Sequence, residues 1–352
     1  MARTRFGQII LIAVLGPQKV KVNREIVKIA IDGMGGDYAP KEIVQGALMA
    51  AQEDPSLHLY LVGEQGSLSK ELGQINPPNV EITSAPEAIQ MDESASWAVR
   101  AKAGSSIGVG LSMVKERAAD AFVSAGNSGA VMSAALFTLG RLKNVTRPAI
   151  AVVIPTPSGP IVLLDAGANA ECKAQNLLQF AEMGKAYATK VLGIEKPSIG
   201  LLNIGEEKGK GNVLYQSAYL LLEESKLDFI GNIEGKAIPF GTVQVLVCDG
   251  FTGNVILKLM EGMAEMMFGE VRDAIQDSFL SKIGGVLISP SLMKLKKKVN
   301  YEEYGGAELL GVSGVCVISH GSSKAKAIKN AIKVAAKSVS QKVIPEIEKS
   351  LQ

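Results

Sequence analysis

The chain is poor in the residues that most often mark a site. It has two histidines, His58 and His320, three cysteines, Cys172, Cys248 and Cys316, and one tryptophan in 352 residues. A zinc site of three histidines is therefore excluded, and one of four cysteines is a ligand short. The cysteines are far apart and form no CxxC, which reads as reduced thiols in a cytosolic protein. Neither charge sign dominates: 37 Lys and Arg against 35 Asp and Glu leave a net charge of +2. No bulk field draws the molecule onto nucleic acid. No apolar stretch reaches the roughly 18 residues of a transmembrane helix. The apolar run at 9–15, behind Arg3 and Arg5, is too short to span a bilayer, and the Gly16-Pro17-Gln18-Lys19 that follows offers no small-x-small cleavage site. Residues 1–27 are expected to be an extra, dispensable leader.

The common catalytic templates are also missing. There is no GxSxG, so no nucleophile elbow. Gly33-Met34-Gly35 carries Tyr38 where a dinucleotide fingerprint needs its third glycine. Residues 205–211, Gly-Glu-Glu-Lys-Gly-Lys-Gly, have the wrong spacing for a Walker A loop. That segment still reads as a glycine loop carrying Lys208 and Lys210, suited either to a phosphate or to solvent. Asp32, Asp37, Asp165 and Asp249 offer carboxylates, but without a DxD pair or a histidine they do not indicate a metal, and no cofactor is expected.

Glycine is what the chain has in excess, with 37 residues. Seven short apolar runs end on glycine-rich turns. They run at 27–31 into Asp32-Gly33-Met34-Gly35-Gly36-Asp37, 59–62 into Gly63, and 121–123 into Ser124-Ala125-Gly126-Asn127-Ser128-Gly129. Further on, 161–164 run into Asp165-Ala166-Gly167-Ala168-Asn169, 199–202 into Asn203-Ile204-Gly205-Glu206-Glu207, 243–248 into Asp249-Gly250-Phe251-Thr252-Gly253-Asn254, and 315–318 into Ser319-His320-Gly321-Ser322. Continuous apolar strands alternating with helical stretches predict an α/β fold: a mostly parallel sheet with helices on both faces. Ligands bind beyond the carboxyl ends of such strands. There glycine lets backbone approach a ligand, and a helix N-terminus offers free N–H groups to an anion. One such turn says little, because strand-to-helix turns favour Gly, Asp and Asn anyway. Six with Asp, Asn, Ser or His predict an anion-binding crevice. His58 lies inside an apparent strand and reads as structural. His320 ends a strand, where an imidazole can move a proton at neutral pH.

Residues 262–299 read differently. Met260, Met263, Met266 and Met267, then Phe279, Leu280, Ile283, Val286 and Leu287, predict an apolar helical hairpin, broken at Gly284-Gly285 and Pro290. A basic cluster, Lys294 and Lys296 to Lys298, follows. Such a hairpin can lie on an anionic membrane surface. The pattern alone favours a dimer-interface or core helix with a solvated basic end.

The segment from Ile29 to Pro40, with Ile31-Asp32-Gly33-Met34-Gly35-Gly36-Asp37 at its centre, resembles the N-terminal signature of the bacterial phosphate acyltransferase family, PlsX. Blocks around Ser124-Ala125-Gly126-Asn127-Ser128-Gly129, Asp165-Ala166-Gly167-Ala168-Asn169, Asn203-Ile204-Gly205-Glu206-Glu207, Cys248-Asp249-Gly250-Phe251-Thr252-Gly253-Asn254, Tyr304-Gly305-Gly306-Ala307 and His320-Gly321-Ser322-Ser323 follow in the family's order, covering about 28–345. Ala237 departs from that pattern, where an acidic residue is usual, as does Ala174-Gln175 in place of Pro-Glu.

The resemblance implies transfer of a fatty acyl group from acyl-carrier protein to inorganic phosphate, feeding phosphatidic acid and phospholipid synthesis. It implies an isopropylmalate-dehydrogenase-like architecture of two subdomains, about 28–155 with 305–352 and about 156–304, with the active-site cleft between them. It further implies a homodimer, cytoplasmic and peripherally bound to the inner face of the bacterial membrane, that hands its product to a membrane glycerol-3-phosphate acyltransferase. Phe279, Leu280, Ile283 and Leu287 are then the membrane contacts. The expected phosphate-binding set is Asp32, Gly35, Gly36, Asp37, Ser124, Asn127, Ser128, Asp165, Asn169, Asn203, Glu207 and Asn254. The expected catalytic set is Lys210, Asp249 and His320. An acyltransferase using a coenzyme A thioester and a non-catalytic carrier-protein scaffold are the competing readings. Lys294 to Lys298 and Lys324 to Lys337 are basic enough to meet an acidic carrier protein, and equally suit a solvated face.

Overall fold

A computed structural model describes residues 26–75, 77–299 and 305–352. The expected leader up to residue 25 and Tyr304 lie outside the described residues, as do the side chains of Lys296, Lys297 and Lys298.

The strands are β1 (Val27–Asp32), β2 (Leu57–Gly63), β3 (Val80–Ser84), β4 (Ala121–Ser124), β5 (Ala149–Ile154), β6 (Ile161–Leu164), β7 (Ile199–Asn203), β8 (Phe229–Glu234), β9 (Val245–Val247), β10 (Ala307–Leu310) and β11 (Val315–Ile318). They form one sheet in the order β3-β2-β1-β4-β11-β10-β5-β6-β9-β7-β8. All seven glycine-terminated runs are strands in it. The block β3-β2-β1-β4-β11 is parallel throughout, and so is β6-β9-β7-β8. Between them β10 and β5 pair antiparallel with each other and with their outer neighbours. The sheet is therefore mostly parallel but reverses in the middle.

The helices are α1 (Lys41–Glu53), α2 (Gln65–Leu72), α3 (Ala95–Ala101), α4 (Ser106–Lys115), α5 (Ser128–Thr138), α6 (Ala174–Tyr187), α7 (Val213–Glu224), α8 (Gly250–Gln276), α9 (Phe279–Val299), α10 (Ala325–Ser340) and α11 (Val343–Ser350). They cover both faces, so successive strand residues enter opposite cores. In β4, Ala121 and Val123 pack with Ile328 and Ile332 of α10, whereas Phe122 packs with Ile107 and Leu111 of α4. In β6, Val162 and Leu164 meet Leu177 and Phe180 of α6, and Ile161 and Leu163 face the other way. Each large side chain buried in this way contributes about 1.5–3 kcal/mol. That explains why the runs carry no polar alternation.

The hairpin differs in its limits. Its first helix begins at Gly250, so the expected loop 250–254 is the first turn of a 27-residue helix capped by Asp249. Gly253 must be glycine there, because a Cβ would lie 1.9 Å from the Asp165 carbonyl oxygen. The second helix continues through Gly284, Gly285 and Pro290. Among the described residues no helix is long and apolar enough to cross a membrane.

Candidate active site

The turns after β1, β4 and β11 meet at one end of the first block. Asp32 is 1% exposed, and its Oδ2 accepts a hydrogen bond from Ser124 Oγ at 2.6 Å while Oδ1 accepts from the Met34 N–H at 3.1 Å. Burial raises the Asp32 pKa; hydrogen bonds from Ser106, Ser124, Met34 and Gly35 oppose that shift. Gly35 sits against this carboxylate, where a Cβ would come within 2.2 Å of Oδ2, and Gly36 adopts a φ of +107° that side chains avoid. The next N–H, of Asp37, donates to the Gly321 carbonyl and joins the β1 turn to the β11 turn.

Above this locked base stand the groups open to solvent. Asn127 caps α5 by accepting from the Ala130 N–H. Ser128 at the first helical position is exposed. The α5 amides ahead of Ala130 point out of the helix toward any anion placed there. His320 is exposed, and its Nδ1 accepts from the Ser322 N–H at 3.2 Å and lies 2.7 Å from Ser322 Oγ. An Nδ1 that accepts a backbone N–H carries no proton, so the hydrogen of the neutral ring is on Nε2, the nitrogen left for substrate.

The turns after β6, β7 and β9 form a second constellation. Asp165 is fully buried. Its Oδ1 accepts from the N–H groups of Ile150, Gly167 and Ala168, and its Oδ2 accepts from the backbone and side chain of Asn169. Asp249 takes the Tyr215 hydroxyl at 2.5 Å, the Thr252 hydroxyl at 2.8 Å and the Thr252 N–H at 2.9 Å. It lines a cavity of about 470 Å³ with Tyr215, Phe251 and Cys172. Burial pushes the Cys172 thiol up to about 11 and raises the buried Cys248 and Cys316 thiols well above the ordinary range, which removes thiolate character from all three. Lys210 is half-exposed on the glycine loop, 3.8 Å from Glu207. Asn203 holds that loop by donating to the Lys210 carbonyl at 3.1 Å.

The fold thus gathers Asp32, Gly35, Gly36, Asp37, Ser124, Asn127, Ser128 and His320 in one place, and Asp165, Asn169, Asn203, Glu207, Lys210, Asp249 and Asn254 around another. Because β5 and β10 reverse the sheet, the residue after β6 lies level with Cys316 near the start of β11, not with its end. Four residues along the strands and three strand spacings across then separate Asp165 from His320 by about 20 Å. Two of the four asparagines in the expected phosphate-binding set have committed their amides elsewhere. Asn127 Nδ2 donates to the Met91 and Glu93 carbonyls, and Asn169 Nδ2 to Pro148 and Asp165. These bonds fasten segments around each constellation. The four aspartates do not cluster: among the described residues no group of three His, Cys, Asp or Glu is placed to hold a metal. Ser106 and Tyr215 were not singled out in the sequence. Ser106 directly follows the capping residue Ser105, a readable helix-start signal, whereas nothing near Tyr215 announces its partner.

A family model described as fatty acid synthesis protein matches residues 27–346. A phosphate acyltransferase from Pelotomaculum thermopropionicum is 51% identical over 93% of this chain and 95% of its own length. One from Clostridium tetani is 50% identical over 87% and 92%. The chain belongs to the phosphate acyltransferase family. It is accordingly an acyltransferase. The phosphate acyltransferase fold also resembles a phosphotransacetylase from Streptococcus pyogenes, at TM-score 0.57 and 17% identity over 91% of this chain and 94% of that one. The EutD phosphotransacetylase from Staphylococcus aureus gives 0.56 and 16% over 89% and 94%. The two departures noted from the family's usual sequence fall at small residues, Ala174 and Ala237, that pack against the core.

Proposed function

We propose that this phosphate acyltransferase moves a fatty acyl group from acyl-carrier protein to inorganic phosphate by direct attack on the thioester. The observation that supports this reading most is the α5 N-terminus standing with His320 over turns locked by the buried Asp32–Ser124 pair, in a chain half identical to named phosphate acyltransferases. Phosphate is already a nucleophile, so the protein must hold it and stabilise charge, and no protein nucleophile is required. The amides of Ser128 and Gly129 and the Ser128 hydroxyl are suited to its oxygens, and the His320 Nε2–H to one more. A phosphate oxygen then forms the new bond to the carbonyl carbon. The tetrahedral oxyanion collapses, the carbon–sulfur bond breaks, and the proton given up by phosphate passes directly to the departing carrier thiolate, while the His320 Nε2–H keeps its hydrogen bond to a phosphate oxygen.

Lys210 belongs to the other wall of a cleft between two subdomains, where it would neutralise the oxyanion, with Asp249 fixing the helix that lines that wall. The roughly 20 Å between the constellations means that the walls close on the substrate or that a second copy supplies one of them. The homodimer, the downstream glycerol-3-phosphate acyltransferase and the cytoplasmic, membrane-peripheral location are parts of the same reading. Exposure of Phe279 (77%), Leu280 (79%) and Leu287 (77%) on a helix that packs mainly against α8 supports a lipid-facing hairpin. The deciding assay is free-thiol release from acyl-carrier protein with and without phosphate. Release that requires phosphate is expected; phosphate-independent release or none rejects the reading, and carrier binding without release favours a scaffold.

A further inference from the structure

A second cavity of about 640 Å³ lies outside both constellations, within the size range of small-molecule sites. It runs between α3, α4 and α5, and its inner end borders the proposed phosphate cradle. Ser105 lines it, and the next residue, Ser106, hydrogen-bonds Asp32. Both α4 and α5 start at the cradle and run away from it. Ser105 and Lys115 are separated by about 15 Å along α4 at 1.5 Å per residue. The wall is mixed. Ile89, Val99 and Ala134 are apolar, while Ser105, Ser112 and Thr138 add hydroxyls.

Two cations stand on the outer rim. The Arg100 guanidinium lies 5.7 Å from the Phe137 ring centroid, and Lys115 ends α4. Among the described residues neither forms an ion pair. Glu116 is the one carboxylate lining the same cavity, so the rim carries a surplus of positive charge.

We infer that this groove holds the phosphopantetheine arm of the acyl donor, with its phosphodiester against Arg100 and Lys115 and its thioester delivered to the cradle beside Ser105. This rests on the cradle being the site of phosphate attack. The arm is a flexible chain of comparable length. It has apolar stretches for Ile89 and Val99, amides for the hydroxyls and an anionic end for the cations. Coenzyme A and carrier protein share this arm, so the groove reads what they have in common.

The test compares three acyl donors: acyl-carrier protein, acyl-coenzyme A, and acyl-pantetheine without the phosphate. In R100E/K115E the ratio of kcat/KM for each phosphate-bearing donor to that for acyl-pantetheine should fall at least tenfold from the parent's ratio. An unchanged ratio overturns the inference. A fall with carrier protein alone also overturns it, because the cations would then read the carrier's acidic surface. Trp97, the sole tryptophan, is 60% exposed on α3 one turn before Arg100 and gives a readout independent of turnover. On the parent protein, phosphopantetheine should shift its emission at concentrations at least tenfold below those needed with pantetheine; equal concentrations count against the inference. If the parent releases no thiol from any donor, the acyl-transfer reading fails instead, and the Trp97 titration still reports on the groove.

Discussion

Ser124 donates its hydroxyl hydrogen to Oδ2 of Asp32 at 2.6 Å, and the bond ties together the ends of two neighbouring parallel strands. Both residues are 1% exposed. Neither is in reach of solvent, so their role is to hold the glycine turns in the shape that leaves the α5 amides and His320 free. The proposed anion site stands on a buried carboxylate satisfied from several sides.

Ser124→Ala removes one of those donors and leaves a buried carboxylate oxygen short of a partner. Stability should fall by about 1–3 kcal/mol, read as a lower midpoint in chemical denaturation. An unchanged midpoint would show that Ser106 and the turn amides satisfy Asp32 without it.

His320→Ala should lower turnover by roughly 10²-fold, the scale of one lost hydrogen-bond donor to the reacting charge. Lys210→Ala should lower it by a similar roughly 10²-fold if its ammonium meets the oxyanion. Measured together at saturating phosphate, two large losses support a cleft whose walls both touch the reacting atoms. Near-parental turnover in Lys210→Ala would place all the chemistry at the first constellation.

The two constellations show how far the sequence could be read. An apolar run that ends on glycine is a local signal, and each of the seven such runs is a strand. β10 escapes that signal because Glu308 interrupts Ala307-Glu308-Leu309-Leu310, and β5 because no glycine turn closes Ala149-Ile150-Ala151-Val152-Val153-Ile154. Those two strands reverse the sheet. The β5–β6 and β10–β11 pairings are local, but the β5–β10 pairing that sets one block against the other joins residues over 150 apart in sequence, so turns that read as one crevice fall into two places. The grouping of Asp32, Ser124 and His320 was legible because all three end parallel strands. The commitment of Asn127 and Asn169 was not, since the backbone carbonyls that engage them carry no sequence signature.

Glu308 gives a pH prediction. It is fully buried on β10, its Oε2 accepts from Ser338 Oγ at 2.5 Å, and its Oε1 has no partner among the described residues. Burial raises its pKa to about 8, with the Ser338 bond opposing. The folded chain therefore keeps a proton that the unfolded chain releases near the ordinary carboxylate value of about 4.3. Stability from this group is present below that value and is lost as pH rises toward 8, at no more than about 1.4 kcal/mol per unit. Glu308→Gln should flatten the decline, measured as denaturation midpoints from pH 5 to 9. Parallel curves for parent and variant would remove Glu308 as its source.

The exposed hairpin supplies the last test. Leu280 and Leu287 lie seven residues apart, two turns of α9, and so share one face, and both are more than three-quarters exposed. A soluble protein rarely leaves a patch of that kind uncovered, and burying it in lipid would recover most of its apolar area. Replacing both with Glu should abolish sedimentation with anionic liposomes. Thiol release in solution should persist, because neither residue belongs to either constellation. Equal sedimentation of variant and parent would assign the face to protein contact, and loss of turnover along with binding would tie the hairpin to the site through the Asp249-capped helix on which it is built.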